Sequence, residues 1–459
     1  MRFSLLRTLA YLAGGLWTAS GGRKRIEAKQ LRNLQCLVEK VRTTSPLFAR
    51  LYKNLGPSSE IRLSDLPVTH KRDLMREFDE WLTIRSLSLE QVREHLSDIE
   101  KIGVPLEGVA VFRTSGTSGE PAVIVLAPRF LEYCYGITLA RLDRTQWRLA
   151  LEERKSGVKV ILTGGNGHFA GVGFERLMRQ ILPRLTSTRT FIDAEQPIAS
   201  IVEKLNAIPY ISSIMTYPSM LAILAKEQEA SRLRIRPFLF RTGGETLTDE
   251  LRKRVRSAFP DLKHDIVDTY ASTECLVLSF SCGSGRLHVN EDWVILEAVD
   301  DAMQPIPDGT LSSNALLTVL ANDTQPFIRY DLGDCVRFHT DQCPCGSPFR
   351  SFQVEGRDAT LLRVGEVTLS PLIFDLEHEE ARRVQLVQTG QNDFEVRIEP
   401  VDEADFGTAI QDIVRKVESA FHAHGLQGVT VRESAEPPQL TASGKFHEVL
   451  PWRNGSSPS

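Results

Sequence analysis

The sequence predicts an α/β protein: a large N-terminal part in which mixed, largely parallel sheets are covered by helices, then a small α+β C-terminal part. Three observations predict it. Between residues 158 and 274, short apolar runs end repeatedly in Gly/Ser/Thr loops and give way to helical patterns. After Asp334 the pattern changes to short strands around one helix. Hydrophobic residues make up 42% of the 459 positions and charged residues 25%, the balance of a soluble chain with a large core.

The elements follow in order. Met1 to Ser20 is apolar but interrupted by Arg7, and no stretch reaches the ~20 residues that span a bilayer. The reading is an amphipathic helix lying on the protein, with a secretory signal or a membrane-surface contact as alternatives. Leu31, Leu34, Val38 and Val41 give residues 26 to 53 helical spacing, and 60 to 105 read as helices joined by short loops. Residues 1–105 thus form a helical N-terminal part.

Val158–Leu162 is a strand that runs into Thr163-Gly-Gly-Asn-Gly167, and Ile211–Met215 a strand before Thr216-Tyr-Pro-Ser219. Phe238–Phe240 enters Thr242-Gly-Gly-Glu245, after which Thr248 caps a helix with Asp249 and Glu250 in its first turn. Ile266–Val267 enters Asp268-Thr-Tyr-Ala-Ser-Thr-Glu274. Ligands sit beyond the carboxyl ends of such strands, so these loops are expected around one crevice. Strands at 384–387 and 394–398 and a helix near 407–423 build the last unit. The expected division is 1–355, a hinge at 356–359, and 360–459.

Bulk properties exclude some classes. The net charge of −4 and a pI near 6.3 leave no basic field for nucleic acid. Seven cysteines, an odd number in a long chain, argue for a reducing compartment, hence the cytoplasm, and against a disulfide framework.

The chemistry is carried by five motifs. In Arg113-Thr-Ser-Gly-Thr-Ser-Gly-Glu-Pro121, backbone N–H groups and hydroxyls of Thr114, Ser115, Gly116, Thr117, Ser118 and Gly119 suit phosphate oxygens, although Gly-Lys-Ser/Thr is absent. A flexible loop is the plain alternative. Tyr270-Ala-Ser-Thr-Glu274 offers an aromatic face for a base at Tyr270 and a carboxylate for Mg²⁺ at Glu274. Arg329-Tyr-Asp-Leu-Gly-Asp334, Gly356-Arg357 and Thr441-Ala-Ser-Gly-Lys445 complete the series.

In this order the motifs resemble the acyl-adenylate-forming superfamily, specifically its phenylacetate–coenzyme A ligase-like branch, over about residues 110 to 450. The resemblance implies an adenylate-forming N-terminal domain and a mobile C-terminal one. It implies ATP, Mg²⁺, a small-molecule carboxylic acid and coenzyme A as ligands. It places Gly243, Gly244 and Glu245 with Thr269, Tyr270, Ala271, Ser272 and Thr273 around the nucleotide, Asp334 on the ribose hydroxyls, and Arg357 on ribose or phosphate. It makes Lys445 the catalytic lysine between carboxylate and α-phosphate. Gly167-His-Phe-Ala-Gly-Val-Gly173 resembles the loop beside the acyl pocket, with His168 or Phe169 as gate; Tyr133, Tyr135, Tyr217 and Pro218 are further pocket candidates. Dimers are common in relatives, so a homodimer is an expectation too.

Cys282-x5-His288 and Cys343-x-Cys345 supply three thiolates and an imidazole, a structural Zn²⁺ set that some of these relatives share; thiols that never meet are the alternative. Three positions depart from the family pattern. Ala122 follows Pro121 where a lysine is common, Ala271 follows Tyr270 where glycine is common, and Ala359 stands where relatives carry an acidic hinge residue. The competing functions are transfer of the acyl group to an amine, hydroxyl or carrier protein, as in capsule or cofactor biosynthesis, and non-catalytic nucleotide binding.

Overall fold

The computed structural model describes residues 3–114, 121–142, 146–148, 151–152, 157–164, 167–183, 189–357, 362–365, 367–369, 373–374, 376, 378, 380–401, 407–440 and 446–452. Its helices are α1 (Leu5–Ser20), α2 (Gly22–Thr44), α3 (Pro46–Leu51), α4 (Lys71–Arg76), α5 (Phe78–Trp81), α6 (Leu89–Ser97), α7 (Pro128–Arg141), α8 (Ala170–Ile181), α9 (Ile198–Asn206), α10 (Pro218–Glu229), α11 (Asp249–Ala258) and α12 (Gly407–Ala423). The described residues up to 105 include helices α1 to α6, and Thr248 caps α11 by accepting the Leu251 N–H at 3.2 Å.

One sheet is parallel throughout. Strands β3 (Val158–Thr163), β4 (Arg189–Asp193), β5 (Ile211–Thr216), β6 (Leu239–Gly243) and β7 (Val267–Thr269) lie in the order β4-β3-β5-β6-β7. Val160, Leu162, Ile214 and Phe240 of its strands pack with Leu221, Leu224 and Val255 of α10 and α11. This is the strand, loop and helix alternation read from the sequence, and it turns the loops after β5, β6 and β7 to one edge.

The chain then becomes antiparallel. Strands β8 (Ser279–Ser281), β9 (Leu287–Val289), β13 (Asp334–Phe338) and β14 (Ser351–Arg357) form the sheet β13-β14-β9-β8. Strands β10 (Val294–Val299), β11 (Asn314–Val319) and β12 (Tyr330–Asp331) form another. The pair β1 (Ala110–Arg113) and β2 (Val123–Leu126) is antiparallel, with Arg113 opposite Val123. These sheets share one core with α2–α7, in which Trp81, Phe112, Phe327 and Phe352 are fully buried.

A third core lies wholly within residues 362–449. Here α12 packs through Ile410, Ile413, Val417 and Phe421 on a sheet ordered β17-β16-β15-β18, formed by β15 (Ala381–Gln388), β16 (Asp393–Pro400), β17 (Thr430–Glu433) and β18 (Val449–Leu450). The boundary differs in one detail from the expected hinge at 356–359. Gly356 and Arg357 still belong to β14, opposite Cys335 and Asp334, so ladder hydrogen bonds hold the first half of that segment. Asp358 and Ala359 lie outside the described residues.

Candidate functional site

The loops at the parallel sheet's edge are tied to each other by side chains. At the end of β6, Thr242 donates to Asp268 at 2.8 Å, and burial raises the Asp268 carboxyl above its ordinary range. Gly243 presses against β7: a Cβ there would lie 2.9 Å from the Thr269 carbonyl oxygen. Gly244 turns the chain with φ +84°. Glu245 then accepts the Ser219 N–H at 2.9 Å and its hydroxyl at 3.1 Å, joining the loops after β5 and β6. Tyr217 stands beside Glu245; burial first, and that carboxylate next, raise its hydroxyl pKa.

The loop after β7 is ordered by itself and by the turn before β13. Ser272 accepts the Cys275 N–H through its hydroxyl at 3.1 Å, which fixes half-buried Thr269, Tyr270, Ala271, Ser272 and Thr273 ahead of buried Glu274. The Tyr270 hydroxyl donates to Asp334 at 2.5 Å, and in the reverse direction the Tyr330 hydroxyl donates to Glu274 at 3.2 Å. Two motifs some sixty residues apart are therefore cross-braced by two tyrosine–carboxylate hydrogen bonds. Bonds to a charged acceptor contribute roughly 1.5–3 kcal/mol each. Tyr330 was not singled out from the sequence, although it lies inside the Arg329–Asp334 motif; only its partner, distant in the chain, gives it a role.

Beside this edge, Thr114 extends the β1–β2 pair by donating its N–H to Ala122 at 2.9 Å and accepting the Ala122 N–H through its hydroxyl at 2.9 Å. Ser115, Gly116, Thr117, Ser118 and Gly119, expected to hold phosphate, lie outside the described residues, as does Lys445. For Arg357 only the backbone pairing with Asp334 is described. Lys445 has a described neighbour: the Phe446 N–H donates to Glu245 at 3.1 Å. A second tie joins the same two regions, with Lys226 of α10 donating to the His378 and Ala381 carbonyls.

The expected acyl-pocket residues divide. Phe169 is buried against β1, with the Arg113 guanidinium 4.8 Å over its ring, and so flanks the β1–β2 pair. Tyr217 and Pro218 open α10 at the sheet edge. Tyr135 is half-buried on α7 and stacks on Phe174; burial pushes its hydroxyl up to about 12. Two residues need correction. His168 is buried and donates through Nε2 to the Asp98 carbonyl at 2.9 Å, which makes it a pin between two loops and not a gate. Tyr133 has no exposed surface; Tyr11 of α1 and Trp293 enclose it, so it is a core residue.

The four candidate zinc ligands do meet. The donor atoms of Cys282, His288, Cys343 and Cys345 all lie within 4.8 Å of one another. Cys282 Sγ is 3.6 Å from Cys343 Sγ, and Cys345 Sγ is 3.4 Å from His288 Nε2. Thiolates at ~2.3 Å around a tetrahedral ion would be about 3.8 Å apart, so the residues fit the metal. His288 donates its Nδ1–H to the Phe349 carbonyl at 2.8 Å, which leaves Nε2 as a lone-pair donor aimed at the cluster. Burial lowers the His288 pKa and favours that neutral form.

Comparison with known proteins gives the fold. No family model matches the chain. Over 119 residues the chain is 29% identical to orotidine 5'-phosphate decarboxylase of Marinomonas sp. (strain MWYL1), a match covering 25% of this chain. The chain spans about half the length (51%) of that curated relative. Among solved structures it is similar to 2-hydroxyisobutyryl-CoA ligase in the postadenylation state with R3-HIB-AMP, with a TM-score of 0.63 and 17% identity over 94% of this chain and 90% of that one. Against the same ligase with 2-HIB-AMP and CoA in the thioesterification state the TM-score is 0.52, at 19% identity over 94% and 90%. The acyl acid amido synthetase AtGH3.15 in complex with 2,4-DB gives 0.56, at 13% identity over 92% and 86%. The mixed α/β architecture with its separate C-terminal unit is therefore the fold of the adenylate-forming ligases.

Proposed function

We propose that this protein activates a carboxylic acid with ATP. A carboxylate oxygen attacks the α-phosphorus, the α–β bridging P–O bond breaks, and pyrophosphate leaves with its electron pair, giving an acyl-adenylate. The observation that carries this reading is the Phe446–Glu245 hydrogen bond: it ties Phe446, the residue that follows Lys445 in the sequence, to the loop at the end of β6, beside the braced carboxylates. Lys445 is assigned the charge between carboxylate and α-phosphate, and Asp334 the ribose. Glu274 would hold Mg²⁺, which neutralises phosphate charge when bound. The 114–119 loop holds the phosphates and Tyr270 the adenine. The catalytic effect is alignment plus charge stabilisation, since attack by an ionised acid needs no general base.

In the second step we assign coenzyme A as acceptor: its thiolate attacks the acyl carbon and AMP departs, within a phenylacetate–coenzyme A ligase-like enzyme of the cytoplasm. The division into 1–355 and 360–459, with the segment between them as pivot, belongs to this reading; rotation of the smaller domain would open the second face. The higher TM-score with the postadenylation state than with the thioesterification state (0.63 against 0.52) supports an arrangement suited to the first step. A non-thiol acceptor is the second reading, favoured by the likeness to an amido synthetase. The Cys282, His288, Cys343 and Cys345 cluster is assigned structural Zn²⁺.

The test is acid-dependent ATP–pyrophosphate exchange across aromatic, fatty and hydroxy acids, followed by acceptor profiling. Exchange with one acid class and none without acid is the expected result. Full nucleotide binding with no exchange for any acid would favour a non-catalytic nucleotide-binding protein.

A further inference from the structure

Helix α1 is seated with the wrong face outward for a water-soluble surface. Its buried residues are Thr8, Gly15 and Thr18. Its exposed residues are Leu5, Leu6, Arg7, Leu9, Ala10, Ala13, Leu16, Trp17 and Ser20, and all of these but Arg7 and Ser20 form one apolar stripe in helical register over nearly four turns. Leu6 is 81% exposed and Trp17 57%. Burying one such side chain is worth about 1.5–3 kcal/mol, so a helix free to choose would turn these inward.

It is held as it is by polar contacts and close packing. Arg7 pairs with fully buried Glu132 at 2.5 Å, and Glu132 also accepts the Ser4 N–H. Lys29 donates to Thr18 at 3.0 Å and to Asp292 at 3.2 Å; Arg141 joins Asp292 at 2.5 Å and the Gly15 carbonyl at 3.2 Å. A Cβ at Gly136 of α7 would lie 2.5 Å from the Thr8 carbonyl oxygen, so the helices meet backbone to backbone. The seat is specific, and the apolar face is what it leaves outside.

Charge says what covers that face. Residues 1–26 contain no acid, in a chain of net charge −4; of their cations, Arg7 pairs with Glu132 and Arg23 with Glu27 and Glu291, while Lys24 and Arg25 stand at the end of the apolar stripe. Arg25 lies 4.2 Å over the Trp17 ring and donates to the Trp17 carbonyl at 2.7 Å, which sets a cation at the end of the apolar stripe, and Lys24 beside it is exposed. Anionic headgroups complement these cations, and tryptophan and leucine suit the interfacial depth. No described helix is long and apolar enough to cross a membrane. We propose that the outer face of α1 docks the protein, lying flat, on an anionic lipid surface.

The test is flotation of the full chain with vesicles of phosphatidylcholine alone or with about 30% phosphatidylglycerol, at low and high salt, beside sedimentation velocity without lipid. Expected are binding to the anionic vesicles, weakening with salt, and at least a roughly tenfold loss of binding in Leu6→Glu/Leu9→Glu. Both side chains are exposed, so that variant is expected to keep the wild-type unfolding temperature; Trp17→Ser is the second variant should it not. No binding to anionic vesicles, binding unchanged in both variants, or a lipid-free dimer that the variants dissociate would overturn the proposal. Pyrophosphate exchange plays no part in this readout.

Discussion

The molecule gathers distant side chains in two places, by opposite means. At the edge of the parallel sheet, Tyr270 and Tyr330 satisfy Asp334 and Glu274 within the protein, one hydroxyl to one carboxylate each way. At the 282–345 cluster, three thiols and an imidazole approach within 4.8 Å of each other, and soft donors gain little from such neighbours. The first arrangement is complete without a ligand and leaves carboxylate oxygens to offer to one. The second makes physical sense through an ion that binds all four. A site built for turnover is pre-braced, whereas a site built for structure obtains its bracing from the metal.

That contrast breaks first at Lys445. Lys445→Ala is expected to lower pyrophosphate exchange by roughly 10²–10³-fold, as for other groups that stabilise transition-state charge, with the unfolding temperature unchanged. The thiol cluster should behave in reverse. Elemental analysis is expected to find roughly one zinc per chain in wild type, and Cys343→Ser/Cys345→Ser should lose it. Its unfolding midpoint should drop by about 5–10 °C, while exchange at 25 °C stays within about twofold of wild type. Equal damage to both properties in either variant would erase the distinction.

A finer cut removes one brace. Tyr330→Phe deletes the donor to Glu274 and should cost roughly 1–2 kcal/mol in kcat/KM, about 5–30-fold, with a raised Mg²⁺ requirement. A loss of stability with normal Mg²⁺ dependence would make Tyr330 a core residue only.

The smallest effect concerns His95 and His168, whose rings meet edge to face with centroids 5.7 Å apart and whose pKa values burial depresses. Above about pH 6.5 both states leave them unprotonated; below it the unfolded chain binds protons that the folded one resists. Stability should therefore be full above that pH and fall as pH drops toward 5. His168→Asn, compared with wild type by thermal melts across this range, should flatten part of that slope.

Much of this was legible in the sequence because it is local. The β5, β6 and β7 runs with their polar loops, the Thr248 cap, and a last unit with its own core follow from periodicity and turn residues. The Cys/His set was legible from residue type together with the family resemblance, since its spacing alone is a weak signal. What escaped depends on contacts across the chain. Val123–Leu126 is an apolar run like any other until Arg113 pairs with Val123 and makes it the antiparallel partner of β1. Tyr133 looks like a pocket tyrosine until α1 and Trp293 cover it. The outward leucines of α1 follow from Glu132 and Asp292, more than a hundred residues downstream. Hydrophobic periodicity says that a helix has an apolar face but not which way the face will point.

The central claim is that bond breakage occurs at the α-phosphorus. Single-turnover product analysis with excess enzyme, ATP, Mg²⁺ and the acid that supports exchange, with no acceptor thiol, tests it most directly. The account predicts enzyme-bound acyl-AMP and pyrophosphate in equal amounts, and no ADP. Formation of ADP and inorganic phosphate, or of an acyl phosphate, would contradict it.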